Sequence, residues 1–85
     1  MEIRYRKRFE REYRKLPLSI QQIAEKRVAL FQKNPFDSRL RTHKLHGELE
    51  GFQAFWIDFR YRIIFTFTDK RDAELYSIGD HDIYE

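Results

Sequence analysis

Hydrophobic and polar positions change period twice along this 85-residue chain. In MEIRYR, Ile3 and Tyr5 alternate with charged residues, the two-residue period of a short strand. From Lys7 the spacing lengthens: Phe9, Tyr13 and Leu16 fall at i, i+4 and i+7, one apolar stripe on an otherwise charged helix that Pro17 stops. A second helix is predicted to start at Ser19 as N-cap, with Gln22 three residues on at the capping-box spacing. Ile20, Ile23, Ala24, Val28, Leu30 and Phe31 form its expected buried face, and Asn34-Pro35 ends it. Two antiparallel helices joined at Leu-Pro-Leu make a hairpin.

The next segment, FDSRLRTHKLHGELEG, sustains no period and reads as an ordered connection pegged by Leu40, Leu45 and Leu49. Alternation then returns in FQAFWI, YRIIFTFT and AELYSIG, three short strands with short loops that predict an antiparallel meander. The pattern is thus strand, two helices, three strands, an α+β arrangement with the helices on one face of a small antiparallel sheet.

The first hairpin's register follows from the faces. Tyr61, Ile63, Phe65 and Phe67 point one way, toward the helices, so Arg62 points away. Phe55 and Ile57 are the core pair of the preceding strand, and Ile57 meets Tyr61 only if Asp58-Phe59-Arg60 is a three-residue loop. That loop sets Trp56 beside Arg62 on the side without helices. An indole beside a guanidinium there can either cover a half-exposed sheet or stack a base next to a phosphate.

Composition narrows the class. With 41% hydrophobic and 16% aromatic residues but only 3 Gly and 2 Pro, the chain can bury a core, and its length suits one domain. The absence of cysteine excludes disulfides, thiol nucleophiles and thiolate metal sites, and fits a reducing cytoplasm. No apolar run approaches a membrane span, and the charged N-terminus lacks the apolar core of a signal peptide. Net charge is +3, but residues 1–46 carry 13 Lys and Arg against 5 Asp and Glu, net +8, while residues 47–85 carry 4 against 9, net −5. The basic half fits a nucleic acid or an acidic protein, and equally a pair of solvated helix faces.

Chemistry must come from few groups. The histidines are His43, His46 and His81. His43 and His46 stand three apart in an irregular setting, and in the closing IGDHDIYE the adjacent Asp80, His81 and Asp82 would point in opposite directions if extended, which argues against a metal site. No nucleophile elbow, glycine-rich phosphate loop or zinc-protease motif is present. What remains is acid/base chemistry at a phosphate: histidine exchanges protons near neutrality, and Arg62 can hold a phosphoryl group as it gains charge.

The segment HKLHGELEGFQAFWIDFRYRIIFTFTD, followed by YSIGDHDIY, resembles the RelE/ParE toxin superfamily of type II toxin–antitoxin systems, in particular its RelE, YoeB and YafQ branch of mRNA interferases. The KLHGELEGF approach to the sheet, the I-D-x-R-Y-R-I-I-F hairpin and a closing strand running into IGDHD carry the likeness, and the basic helical hairpin extends it over essentially the whole chain.

The resemblance implies a β-α-α-β-β-β fold of RelE-like type and ribosome-dependent, metal-independent and cofactor-independent cleavage of mRNA in the ribosomal A site. In that chemistry the ribose 2′-hydroxyl attacks the adjacent phosphate, leaving a cyclic 2′,3′-phosphate and a free 5′-hydroxyl. By position, Arg62 becomes the transition-state phosphate clamp, His43 the acid or base before K-L-H-G, and His81 the second active-site group. Tyr84 is the nearest terminal aromatic to stack on substrate, Lys44 and His46 bind RNA with Trp56, and the basic helices, including Arg11, Arg14 and Lys15, hold RNA backbone. Trp56 departs from the family, which commonly has a basic or polar residue there; stacking replaces that group's binding role but not its charge. The implied partners are the ribosome, mRNA and a cognate antitoxin, including a toxin–antitoxin heterotetramer. Two other readings stay open: a ParE-like, non-catalytic inhibitor of DNA gyrase, and an inactive partner-binding member.

Overall fold

The structure, a computed structural model, describes residues 1–80. Strand β1 (Ile3–Tyr5) leads into helices α1 (Lys7–Arg14) and α2 (Leu18–Lys33). After a 3₁₀ turn at Ser38–Leu40 come β2 (His43–Lys44), a second 3₁₀ turn at Gly47–Leu49, and strands β3 (Gln53–Trp56), β4 (Tyr61–Phe67) and β5 (Ala73–Asp80). Among the described residues no helix is long and apolar enough to cross a membrane.

The strands form one sheet in the order β1-β5-β4-β3-β2. The meander β3-β4-β5 is antiparallel, as the alternation predicts, but β1 runs parallel to β5, pairing Ile3 with Ala73 and Tyr5 with Leu75. The sheet is therefore mixed. The two helices between β1 and the meander return the chain so that β1 settles at the far edge, where an ion pair of 3.0 Å between Arg6 and Glu74 lies beside it. Strand β2 is also an addition to the expected scheme: only two residues long, it pairs His43 with Ala54 and Lys44 with Gln53, too short to show a period.

The helices meet the sheet through phenylalanine. Phe31 of α2 stacks on Phe55 at 4.4 Å and 14° and meets the edge of Phe65 at 4.7 Å and 72°, so one ring joins α2, β3 and β4. Ile57, Ile63, Leu75 and Ile78 fill the rest of this core, with Tyr61 and Phe67 packed against it. Leu40 is fully buried in the same cluster and anchors the connection between helix and sheet.

Helix α2 begins differently from the prediction. Pro17, not Ser19, is its N-cap, and no side chain caps it; the Pro17 carbonyl accepts from the N–H groups of both Ile20 and Gln21. Proline's fixed φ already suits a helix entrance, so the turn starts before Ser19 is reached. The Gln21 amide instead donates to the Tyr13 and Leu16 carbonyls, closing the end of α1. Ile23, assigned to the buried face, is 36% exposed on the outer side of α2.

Past β1, the outer edge of β5 is covered by α1. A single Glu12 oxygen accepts from the Ser77 hydroxyl at 2.7 Å and the Ile78 N–H at 3.2 Å, giving an edge N–H the partner that a neighbouring strand would supply. Between β4 and β5 the register slips: Phe65 pairs with Leu75 and Ile64 with Ser77, leaving Tyr76 as a bulge residue. Tyr76 packs against Phe52 at 5.0 Å, and the Arg8 guanidinium lies over its ring and donates to its hydroxyl at 3.2 Å.

Candidate functional site

The site grows out of the β3–β4 hairpin. The Ile57 N–H donates to the Tyr61 carbonyl at 3.0 Å across Asp58-Phe59-Arg60, the three-residue loop required by the alternation. The Asp58 carboxylate accepts from the N–H groups of Arg60 and Tyr61, folding the chain tightly at the loop. With that loop, Trp56 pairs with Arg62 and Phe55 with Ile63. Residues paired across a ladder share a face, so Trp56 and Arg62 stand together on the side away from the core cluster.

Arg62 is held rather than free. Its guanidinium carbon lies 3.9 Å from the Trp56 ring centroid, and its Nη1 donates to the Asp58 carbonyl at 2.7 Å and the Tyr61 carbonyl at 3.1 Å. Only 8% of the residue is exposed. A buried guanidinium fixed by carbonyls and an indole keeps its charge while losing most of its rotamer freedom, which suits a group that must meet a phosphate in one geometry. On its other flank Arg62 pairs with Gly79 of β5, which presents no side chain.

His43 joins this face through β2. It pairs with Ala54, which pairs with Ile64; Ala54 and Ile64 are the neighbours two residues along from Trp56 and Arg62 on the same side. Two strand spacings and two residues of rise separate the backbones of His43 and Arg62 by about 12 Å, a gap their side chains would close only across a bound group. His43 Nδ1 lies 2.9 Å from the Arg41 carbonyl oxygen. A carbonyl only accepts, so Nδ1 carries the hydrogen, and the neutral ring offers Nε2 as a proton acceptor. Ala54 and Ile64 are both almost wholly buried, so the side without helices carries an apolar layer of its own that the sequence reading did not anticipate.

The other expected site residues divide. Lys44, next to His43 on an extended strand, falls on the opposite face from Trp56 and Arg62. His46 is exposed at the start of the Gly47–Leu49 turn, where it lines with Lys44, Glu50 and Phe52 a hollow of about 260 Å³. His81 and Tyr84 lie outside the described residues. Arg11, Arg14 and Lys15 are exposed on or just after α1. Among the described residues no three His, Asp or Glu side chains converge as a metal centre would require.

Arg41 went unnoticed in the sequence. Its guanidinium carbon lies 4.6 Å from the Trp56 centroid, so two arginines share one indole. The residue closes the Ser38–Leu40 turn in the left-handed conformation, φ 50 and ψ 41. Glycine or asparagine at this position would have signalled such a turn; arginine gave no cue. Its placement is built locally. Asp37 caps the turn by accepting from the Arg39 N–H and pairs with the Arg39 guanidinium at 2.9 Å, Leu40 is buried, and the Thr42 hydroxyl donates to the Pro35 carbonyl. The hydrogen bonds from Arg39 hold the Asp37 carboxyl at about 2, well below its ordinary 3.8.

No protein-family model and no curated protein sequence matches this chain. Solved structures do. YafQ from E. coli strain BL21(DE3) is 16% identical and superposes with a TM-score of 0.75, covering 96% of this chain and 94% of its own. A YoeB/ParE toxin from Agrobacterium tumefaciens is 13% identical with a TM-score of 0.78, covering 95% and 99%. The RelE–RelB complex from the archaeon Pyrococcus horikoshii OT3 contains a chain 14% identical with a TM-score of 0.74, covering 93% and 92%. This is a likeness of fold over nearly the full length of each chain: two helices on a mixed five-stranded sheet, the fold of the RelE, YoeB and YafQ toxins.

Proposed function

We propose that this chain is the toxin of a toxin–antitoxin pair and cleaves mRNA on the ribosome by acid/base chemistry without a metal. The observation that carries the reading is the face shared by His43, Trp56 and Arg62 in a fold of the RelE, YoeB and YafQ toxins. In this mechanism His43 Nε2 takes the proton of a ribose 2′-hydroxyl, and the freed oxygen attacks the adjacent phosphorus. Negative charge accumulates on the equatorial oxygens of the five-coordinate phosphate, where the Arg62 guanidinium stabilises it. The bond to the 5′-oxygen breaks, and a proton delivered to that oxygen, the part assigned to His81, completes the cleavage. The products are a 2′,3′-cyclic phosphate and a 5′-hydroxyl.

Trp56 contributes apolar area on the same face, and His46 reaches RNA backbone from the neighbouring hollow, a part that Lys44, on the other side of the sheet, does not share. The antitoxin would occupy the outer side of α2, where Ile23 and Leu30 sit among Lys26, Arg27, Lys33 and Arg39 around a hollow of about 560 Å³. An amphipathic segment with acidic flanks matches that mixture of apolar and basic groups.

The experiment is cleavage of mRNA on programmed ribosomes with a chelator present. Specific cuts ending in cyclic phosphate support the reading. Growth arrest with intact mRNA and DNA-damage signalling would replace it with gyrase inhibition.

A further inference from the structure

We propose that Arg41 is a second phosphate-binding arm of this site, its guanidinium stationed on the Trp56 indole so that it and Arg62 grip the RNA backbone together. The inference deepens the nuclease reading and rests on it for the identity of the ligand as RNA. It stands on three observations. The guanidinium carbons of Arg41 and Arg62 lie 4.6 and 3.9 Å from one ring centroid, so the two like charges stand no more than about 8.5 Å apart, a span that one phosphate group can bridge. Arg41 is exposed while Arg62 is buried, and among the described residues no carboxylate pairs with the Arg41 guanidinium. Its backbone adopts a left-handed conformation that costs energy for any residue with a Cβ, and the same residue's carbonyl orients His43.

Together these describe a place prepared for an anion. Two cations brought to one indole repel each other, and the ring's negative face offsets part of that repulsion. A phosphate bound by both guanidiniums turns the remaining repulsion into attraction, and arginine's planar fork matches two phosphate oxygens. The division of labour follows from burial. Arg62, with Nη1 committed to two carbonyls, has a fixed position and serves the reacting phosphate. Arg41, at the surface, is the arm that captures the backbone as RNA arrives. Because Arg41 also carries the carbonyl that holds His43, capture of the backbone and orientation of the base are linked through one residue.

The test uses the chain's one tryptophan as its own reporter. Trp56 fluorescence is titrated with a short 2′-O-methyl RNA, which binds but cannot be cut, over a range of salt concentrations. The variant Arg41→Gly keeps the backbone carbonyl and suits the left-handed turn, so it removes the guanidinium with little risk to the fold; Arg41→Lys retains charge without the fork. Binding by Arg41→Gly is expected to weaken about tenfold, with the slope of log affinity against log salt shallower by about 0.7, the change for one lost phosphate contact on a single strand. Arg41→Lys is expected to recover part of the affinity and most of the slope. Wild-type affinity and slope in Arg41→Gly, or no Trp56 response to RNA in the unmodified protein, overturns the assignment. If binding depends on Arg41 while ribosomes carrying mRNA are left uncut, the arm stands and the nuclease reading falls.

Discussion

Arg62 and Trp56 face each other across the β3–β4 ladder with the guanidinium carbon 3.9 Å from the indole centroid. The contact gives the arginine a rigid wall, and the two carbonyls on Nη1 fix its rotation. Arg62→Ala is expected to fold and to lose about 100-fold or more in mRNA cleavage, the scale of losing a donor to a developing oxyanion. Arg62→Lys should recover only part of this, since a point charge cannot reproduce the fork. Single-turnover cleavage on ribosomes, with urea unfolding as the control, separates lost chemistry from lost fold.

His43 is the residue whose tautomer is already set. In ¹⁵N spectra its neutral ring is expected to show the hydrogen on Nδ1, and a hydrogen on Nε2 would remove it as the base. His43→Ala is expected to slow cleavage by about 10² to 10⁴, the range for removing a general base, with binding of uncleavable RNA little changed.

Asp37 supplies a pH signature. Its carboxyl titrates near 2 in the folded chain against 3.8 ordinarily, the Arg39 hydrogen bonds being the main cause. A depressed folded value means a stabilising contribution that is complete above the ordinary value and disappears as pH falls from about 4 through about 2. Carboxyl NMR titration should show the low value in the wild type and a return toward the ordinary range in Arg39→Ala.

Glu12 should matter for stability more than a half-exposed helix carboxylate usually does. Removing it in Glu12→Ala strands the Ser77 hydroxyl and the Ile78 N–H at the edge of β5, at an expected cost of about 1–3 kcal/mol. Phe31→Ala opens the centre of the aromatic cluster and should cost about 3–5 kcal/mol. Urea denaturation measures both, and near-wild-type stability in Phe31→Ala would mean that the ring is not the joint between helix and sheet.

How much of this was legible in the sequence depended on whether a residue's role repeats along the chain. The faces of β3 and β4 repeat every two residues, so the three-residue loop and the Trp56–Arg62 pair could be read from alternation. The start of α2 depended on which of two local signals won, and Pro17 preceded Ser19. Strand β2, with two residues, has no period to detect, so the route that brings His43 onto the face of Arg62 was invisible. Arg41 was hidden for a related reason: its left-handed turn is imposed by the Asp37 cap and the buried Leu40 around it and not by its own residue type.

The bulge at Tyr76 acts on β5 as a half-period delay. Before it, the odd-numbered Ala73 and Leu75 face the core; after it, Ile78 takes the core and the odd-numbered Gly79 moves to the side of Arg62. One strand thereby serves two masters whose spacing would otherwise clash by a single residue. Loss of the Tyr76 codon would remove only the extra residue: Leu75, Ser77, Ile78 and Gly79 would then run unbroken opposite Phe65, Ile64, Ile63 and Arg62 with every face kept, and what disappears is the ring that Phe52 and Arg8 hold.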